Sequence, residues 1–308
     1  MSSQTLKKSL VVVGGTGFLG KRICQAAVAA GWQVTSVSRY GKLKSLPTGP
    51  PTQNSWISQV NWVSADVFNK ESLAPQLRNA DAVVHSMGVL FEKDKYKDVI
   101  NAPVSGKAIA NSMKSFISSC FSSSAKAANP LNQTLDSSRA SSTVEPNDHN
   151  RTYNKVNRDS AILLANTFAE ENATKGNEEV EQQARKPFVY ISAEYTSPMI
   201  PSGYIQSKRQ AEDTIARIPS LRPILVRPGF MYDKYDGVNT HEPHTVRHYL
   251  GGIIEAQYNV SKTLGLDMAI GAKPTLAVQD VANAVVEALN DSSIEGVVSL
   301  AALKEFSR

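Results

Sequence analysis

The chain has 308 residues, of which 41% are hydrophobic and 20% charged, as in an ordinary globular protein with a substantial core. The net charge of +5 and the pI near 9.0 come from scattered Lys and Arg, which argues against a dense basic nucleic-acid-binding tail. No apolar run reaches the roughly 20 residues of a membrane span, and the two cysteines, Cys24 and Cys120, exclude a disulfide framework or a cysteine-based zinc site.

The first strong pattern is an apolar strand, predicted at 10–13, that leads into a glycine-rich turn. The turn satisfies G-x-G-x-x-G and consists of Gly14, Gly15, Thr16, Gly17, Phe18, Leu19 and Gly20. Glycine lets the backbone approach a pyrophosphate, and the helix predicted at 21–30 would point its N-terminal amides at the phosphates. The sequence therefore predicts a dinucleotide-binding turn, and a tight strand–helix turn without a ligand is the alternative.

Strands and helices then alternate along the chain. We expect a strand at 33–38, a turn-rich loop at 47–54, a strand at 60–64, a helix at 70–78 and a strand at 82–85. Such an alternation requires a parallel sheet with helices on both faces. The fold class predicted is therefore α/β, a Rossmann-type doubly wound parallel sheet with a small C-terminal substrate lobe.

The alternation is interrupted at 112–150, a Ser-, Ala- and Asn-rich stretch predicted to be a disordered insertion. It resumes with a helix at 153–171, a polar loop at 170–186, a strand at 188–192, a helix at 204–217 and a strand at 224–227. Residues 231–274 lack the alternation of strands and helices. A helix is expected at 278–290. The predicted organisation is an NAD(P)-binding Rossmann domain at 1–230, a small substrate or partner lobe at 231–274, and a C-terminal helix and strand returning to the core at 275–308.

The end of the second predicted strand favours NADP(H) over NAD(H). NAD-selective folds place a carboxylate there for the ribose 2′-hydroxyl, whereas this chain has Ser38 and Arg39, which can bind a 2′-phosphate. A solvated loop charge is the alternative interpretation of Arg39. Asp66 follows the third strand and is placed either to accept a hydrogen bond from the adenine amino group or to cap the next turn.

A second chemical pattern is Tyr204-x-x-x-Lys208. Residues four apart on a helix share a face, so both side chains would point toward the nicotinamide, and Ser192 ends the preceding strand. Tyr40 and Lys44 have the same spacing but lie in a loop without such a serine. A surface helix is the alternative interpretation of Tyr204 and Lys208.

These motifs resemble an extended or atypical short-chain dehydrogenase/reductase, as do Arg227-Pro228-Gly229 and Asn157. Within that superfamily, segments 12–24, 34–39 and 190–193 are similar to the NADPH-binding accessory subunit of respiratory complex I. They are more similar to fungal mitochondrial members that act in ubiquinone (coenzyme Q) biosynthesis. The resemblance implies that Tyr204 is the proton donor, that Lys208 binds the ribose and lowers the phenol pKa, and that Ser192 orients a carbonyl.

The resemblance leaves three functions open. The first is an NADP-dependent oxidoreductase acting on a small hydrophobic, quinone-like or prenylated carbonyl compound. The second is a non-catalytic nucleotide-binding subunit of a membrane-associated complex, and the third is a redox-sensing regulator. The expected location is the matrix side of the mitochondrial inner membrane, with the cytoplasm as the alternative. We expect no nucleic-acid partner and no metal, since His241, His244 and His248 lack supporting carboxylates or thiolates and are expected to face solvent.

Overall fold

The computed structural model describes residues 7–43, 51–90, 100, 152–173, 185–194, 200–235, 244–265 and 273–306. The predicted insertion at 112–150, most of the predicted polar loop at 170–186, Lys44, Cys120 and His241 lie outside these residues.

The strands of the described residues follow the sequence closely. In chain order they are β1 (Ser9–Val13), β2 (Gln33–Ser38), β3 (Val60–Ser64), β4 (Ala82–His85), β5 (Lys186–Ile191), β6 (Leu221–Val226), β7 (Met231–Tyr232), β8 (Leu276–Ala277) and β9 (Gly296–Val298). The predicted strands at 33–38, 60–64 and 82–85 are confirmed to the residue. The β-branched and apolar residues that fill them explain this agreement.

The α-helices of the described residues lie between these strands, except for the last one, which follows β9. They are α1 (Gly20–Ala29), α2 (Lys70–Leu77), α3 (Ser160–Glu171), α4 (Ser202–Ala216), α5 (Val246–Thr263), α6 (Val278–Asn290) and α7 (Leu300–Glu305). A 3-10 helix covers Pro51–Gln59, and a π-helical segment, Asn154–Asp159, leads into α3. Among the described residues, no helix combines the length and the apolar character needed to cross a membrane.

Seven strands form one parallel sheet in the order β3-β2-β1-β4-β5-β6-β9. The chain proceeds outward from β1 to β3 and then crosses back to β4 on the other side of β1. This reversal opens a crevice at the carboxyl ends of β1 and β4, where doubly wound folds bind their ligands. The predicted Rossmann-type α/β fold is confirmed.

Both faces of the sheet are buried, as a parallel sheet requires. Leu10 and Val12 of β1 pack into the core shared with α1 and α6, while Val11 and Val13 pack into the core on the opposite face, shared with α2, α3 and α4. The side chains of a strand alternate between its faces, so the continuous run of valines supplies both cores. The glycine-rich turn is therefore anchored to a fully buried strand.

Two local predictions were wrong. The predicted loop at 47–54 gives way to a 3-10 helix that begins at Pro51, since proline presets φ for a first helical turn. Residues 170 and 171 continue α3, and Lys186 already belongs to β5, so the polar loop is shorter than expected. Within 231–274, the chain forms the 18-residue helix α5, which buries three residues.

Candidate functional site

The glycine-rich turn lies at the carboxyl end of β1, in the crevice of the sheet. Gly14 has a φ of +85°, a left-handed conformation in which a Cβ would be strained, and its amide donates to the Val37 carbonyl at 2.9 Å. A Cβ on Gly20 would overlap the Gly14 carbonyl and lie 2.8 Å from the Gly15 Cα. These positions must be glycine for the helix to start so close to the strand.

The turn also presents backbone donors. The amides of Phe18 and Leu19 donate to no backbone or side-chain acceptor within the described residues, and they stand at the N-terminus of α1. Unsatisfied amides and the positive end of a helix dipole together suit a phosphate anion. A Cβ on the exposed Gly17 would lie 3.1 Å from the Gly14 carbonyl, which is closer than an ordinary van der Waals contact. The turn therefore fits a dinucleotide pyrophosphate, and Thr16 lies on its rim, partly exposed.

Ser38 and Arg39 lie at the end of β2, directly after Val37, whose carbonyl holds the turn. The Ser38 hydroxyl accepts a hydrogen bond from the Gly41 amide at 3.2 Å, which leaves its own proton available for donation. Arg39 is exposed, and its guanidinium carbon lies 5.8 Å from the centre of the Tyr40 ring. Among the described residues at this end of β2, an accessible hydroxyl and a guanidinium stand where NAD-selective folds have a carboxylate.

Asp66 follows β3 on the same side of the sheet and is exposed. Its Oδ1 accepts a hydrogen bond from the Phe68 amide at 3.0 Å, which closes a local turn, while Asn69 caps α2 through the Ser72 amide. The turn-forming role is therefore present in the structure. Contact with an adenine amino group stays a prediction for Asp66.

Ser192 and Lys208 come together at the carboxyl end of β5. Lys208 on α4 is buried, and its Nζ donates to the Ile191 carbonyl at 2.7 Å, one residue before Ser192. Tyr204 lies one helical turn earlier, partly exposed, with its ring edge-on to Tyr153 at 6.3 Å. The helix thus brings Lys208 to the strand end that carries Ser192, and the joint action of Tyr204 with these two residues stays a prediction.

The environment of Lys208 perturbs its proton affinity. Burial lowers the pKa of this amine from its ordinary 10.5 to about 7, and the charge of Glu212 opposes the shift. The Nζ also lies 3.4 Å from the Met87 carbonyl and 4.7 Å from the centre of the Tyr190 ring. Burial therefore favours the neutral form of the Lys208 amine more than water does. Its amine is directed at the carbonyls of Ile191 in β5 and of Met87 after β4, and its contact with ribose hydroxyls stays a prediction.

Arg209, the residue after Lys208, contacts Ser192 directly and was missed by the sequence analysis. Its NH1 donates to the Ser192 Oγ at 3.1 Å and to Glu212 at 2.7 Å, and its NH2 donates to the Ala193 carbonyl at 2.9 Å. Because the serine oxygen accepts from a cation, the hydroxyl proton is directed elsewhere and becomes a better donor. The signal that could have found it is an Arg and a Glu three apart beside Lys208.

Glu212 organises this charge cluster from a buried position. It pairs with Arg209 and also with Arg227 of the Arg227-Pro228-Gly229 motif, with a bond of 3.0 Å to the Arg227 Nε. The hydrogen bond with Glu212 raises the pKa of the Arg227 guanidinium, which therefore stays protonated. The motif after β6 is therefore tied to the helix that carries Tyr204 and Lys208.

Asn157 joins the strand ends beneath the site. It lies in the π-helical segment, fully buried, and its side chain exchanges two hydrogen bonds with the Val89 backbone, at 2.9 and 3.1 Å, and donates to the Ser207 hydroxyl. Its own carbonyl accepts from the Tyr190 hydroxyl at 2.6 Å. The family-like asparagine thus fixes the segment after β4 against α4.

His85, at the end of β4, is packed rather than accessible. Its Nε2 lies 2.8 Å from the Ser160 hydroxyl, and burial, together with the charge of Lys208, lowers its pKa from 6.5 to about 3. The ring is therefore neutral at physiological pH. A neutral, fully buried imidazole has no route to a substrate.

Two of the three histidines in the predicted lobe are partly buried, contrary to expectation. His244 and His248 stack at 4.0 Å between ring centres at the start of α5, and Tyr249 meets both edge-on. The expectation of solvent-facing loop histidines fails because His244 lies two residues before α5 and His248 lies in its first turn, where the two rings stack on each other. The described residues contain no group of three or more His, Cys, Asp or Glu side chains arranged to hold a metal.

A buried ion pair ties the predicted lobe to the glycine-turn helix. Arg22 of α1 donates to Asp233 at 2.7 Å with both side chains less than 10% exposed, and Gln279 and the Tyr235 amide bind the second carboxylate oxygen. Burial would raise the pKa of Asp233, but Arg22 and these hydrogen bonds outweigh it and hold the pKa below its usual value. The partners are 211 residues apart, so sequence patterns give no sign of this pair.

Comparison with known proteins places these features in a family. Residues 11–177, more than half of the chain, match the model of the 3-beta hydroxysteroid dehydrogenase/isomerase family. MIOREX complex component 2 of Saccharomyces cerevisiae is 36% identical over 296 residues, covering 94% of this chain and 96% of that protein. An uncharacterized chloroplastic protein of Arabidopsis thaliana is 24% identical over 307 residues, covering 96% and 76%.

Solved structures with similar folds have low identity to this chain. A short-chain type dehydrogenase/reductase from Mycobacterium ulcerans has a TM-score of 0.49 at 15% identity, covering 96% of this chain and 90% of its own. UDP-glucuronic acid 4-epimerase from Bacillus cereus, solved in complex with NAD, has a TM-score of 0.46 at 13% identity, covering 94% and 77%.

Proposed function

Because the chain belongs to the 3-beta hydroxysteroid dehydrogenase/isomerase family, we propose that it is an NADP(H)-dependent oxidoreductase that acts on a quinone-like or prenylated carbonyl compound in mitochondrial ubiquinone biosynthesis. The observation that carries this proposal is the meeting of Ser192 and Lys208 at the end of β5, beside a glycine turn built for phosphate. A bound nicotinamide would supply the hydride. The substrate class comes from the resemblance of the sequence to fungal ubiquinone-pathway proteins.

The preference for NADP(H) is supported by the end of β2. The exposed Arg39 guanidinium and the Ser38 hydroxyl offer positive charge and a donor to a 2′-phosphate, and a carboxylate in this place would repel it. We expect Arg39→Gln to weaken NADPH binding about 10- to 100-fold, as for loss of a charged hydrogen bond, with little effect on NADH. Equal loss for both nucleotides would contradict the proposed role of Arg39.

In the proposed reaction, Tyr204 donates its phenolic proton to the substrate oxygen as that oxygen gains charge. Lys208, with a pKa of about 7, is suited to supply positive charge beside the phenol and to exchange a proton during turnover. Ser192 donates its hydroxyl proton to the same oxygen, and Arg209 holds the serine oxygen in that orientation. The buried Asn157 keeps α4 and its two reacting side chains in register with the strand ends.

The test is NADPH oxidation by the full chain with a panel of quinone intermediates and prenylated carbonyl compounds. We expect one class to be reduced, and Tyr204→Phe to lower kcat at least 100-fold, typical for a general acid, while NADPH affinity stays within twofold. The matched control is Tyr40→Phe, which removes a phenol from the other Tyr-x-x-x-Lys pair and should leave turnover unchanged. No NADPH consumption across the panel would contradict the enzymatic proposal.

A second candidate is a non-catalytic nucleotide-binding subunit of a complex on the matrix side of the mitochondrial inner membrane. It is favoured by the yeast relative's name, which makes that protein a complex component, and by the Lys208 amine, which strand carbonyls already engage. The two proposals separate in cells that lack the protein. Gly17→Asp, which puts a carboxylate into the phosphate site, should abolish function under both, whereas Tyr204→Phe should abolish it only for the enzyme.

A further inference from the structure

Arg247 of α5 reaches across to the glycine-rich turn. Its guanidinium carbon lies 4.2 Å from the centre of the Phe18 ring and 6.0 Å from that of Phe230, and its NH1 is 3.4 Å from the Met231 carbonyl. Phe18 is the turn residue whose amide faces the proposed phosphate site. A cation from the predicted lobe therefore stacks on the residue at the centre of the cofactor turn.

The fold holds Arg247 in this place. One turn further along α5, Gly251 is buried against β7, where a Cβ would come within 3.3 Å of the Tyr232 Cβ and 3.6 Å of the Phe230 ring. Asp233 directly follows β7 and binds Arg22 of α1, the helix that follows the glycine turn. Since α5 packs on β7 and Asp233 ties this segment to α1, the position of Arg247 relative to the turn is built into the packing.

The glycine-rich turn carries less positive charge than a bound pyrophosphate would need, and an arginine could supply the difference. A dinucleotide pyrophosphate carries two negative charges, whereas the turn offers neutral amides and a helix dipole equivalent to about half a positive charge. A guanidinium stacked on an aromatic ring keeps its donors in the plane of the group, directed outward from the ring edge, and can bind two phosphate oxygens at once. The ring also limits the rotamers of the arginine before the ligand arrives.

We propose that Arg247 is a cofactor-binding residue that neutralises the dinucleotide pyrophosphate from the side opposite the α1 amides, with Phe18 as the platform that orients it. This inference rests on the proposed dinucleotide site and adds a charged residue from a segment outside the glycine motif. It makes α5 part of the nucleotide site. It also distinguishes Arg247, which serves any dinucleotide, from Arg39, which serves only the 2′-phosphate.

The test is calorimetric binding of NADPH, NADH and adenosine 2′-monophosphate to the wild-type chain and to Arg247→Gln. We expect Arg247→Gln to raise the Kd of NADPH and NADH by a similar factor, about 10- to 100-fold, the range for loss of a charged hydrogen bond. Adenosine 2′-monophosphate lacks the pyrophosphate, and its Kd should change less than twofold. Arg39→Gln should instead weaken the binding of NADPH and of adenosine 2′-monophosphate and leave the affinity for NADH unchanged.

Two controls separate binding from folding. The thermal midpoint of the unliganded variant reports any loss of packing, and Arg247→Lys keeps the charge, so it should recover part of the lost affinity. Arg217→Gln removes an exposed arginine paired with Asp213 at the far end of α4 and should bind like wild type. Wild-type affinity for both dinucleotides in a folded Arg247→Gln would overturn the proposal, whereas a wild-type chain that binds no dinucleotide would overturn the proposed function itself.

Discussion

Replacing Lys208 by Met should change how the stability of the protein depends on pH. Lys208 is 2% exposed, and burial lowers the pKa of its amine from 10.5 to about 7. Upon unfolding, the amine returns to water and binds a proton that half of the folded molecules lack at pH 7. The unfolded state therefore carries more protons between the two pKa values, and the stability of the wild-type chain should rise with pH through this window.

The magnitude follows from the two pKa values. Each pH unit between them is worth about 1.4 kcal/mol, so the penalty for burying Lys208 should amount to about 4 kcal/mol at pH 7 and about 2 kcal/mol at pH 9. Met has a similar apolar length and no charge, but it leaves the Ile191 carbonyl without its donor, which costs about 1–3 kcal/mol at every pH. The change in the free energy of unfolding caused by Lys208→Met should therefore be more positive at pH 7 than at pH 9, by about 2 kcal/mol.

Urea denaturation of both chains at pH 7, 8 and 9 measures this difference. Subtracting the wild-type free energy of unfolding from that of Lys208→Met cancels the contributions of groups that titrate alike in both proteins. Only the contribution of Lys208 should remain. We expect the free energy of unfolding of Lys208→Met minus that of wild type to fall steadily with rising pH, by about 2 kcal/mol from pH 7 to pH 9. A pH-independent difference would show that the amine has an ordinary pKa in the folded protein, and the reasoning from its burial would be refuted.

Three further predictions concern the turn, the buried ion pair and the serine. Gly20→Ala should destabilise the fold by about 1–3 kcal/mol through overpacking and abolish NADPH binding, whereas Gly252→Ala, with open space around it, should be neutral or stabilising in thermal denaturation. Asp233→Ala should cost about 3–5 kcal/mol in urea denaturation, because it leaves Arg22 buried without a counter-charge. Arg209→Met should lower kcat about 10- to 100-fold with unchanged NADPH affinity, and Arg209→Lys should recover part of it. Unchanged stability in Gly20→Ala or Asp233→Ala, or a changed NADPH affinity in Arg209→Met, would contradict these assignments.

The sheet could be predicted because its information is local. Buried parallel strands are short runs of β-branched and apolar residues, so β2, β3 and β4 were identified to the residue, and the glycine turn carries its own spacing. The grouping of Ser192 with Lys208 could also be anticipated, since one lies at a strand end and the other on the helix that follows.

The remaining features of the site depend on tertiary packing. Helix α5 buries only Val246, Gly251 and Ser261, so its sequence does not show which elements it packs against. The contacts of Arg247 with Phe18 and of Arg22 with Asp233 join residues more than 200 positions apart, and no spacing rule connects them. Burial also shifts the pKa of Lys208, a change that the Tyr-x-x-x-Lys pattern does not reveal.

Native mass spectrometry of the full chain with equimolar NADPH and NADH tests the central claim most directly. The account predicts one dinucleotide per chain, NADPH in excess over NADH, and loss of both adducts in Gly17→Asp. Absence of any dinucleotide adduct in the wild-type chain, or equal adducts in wild type and Gly17→Asp, would contradict it.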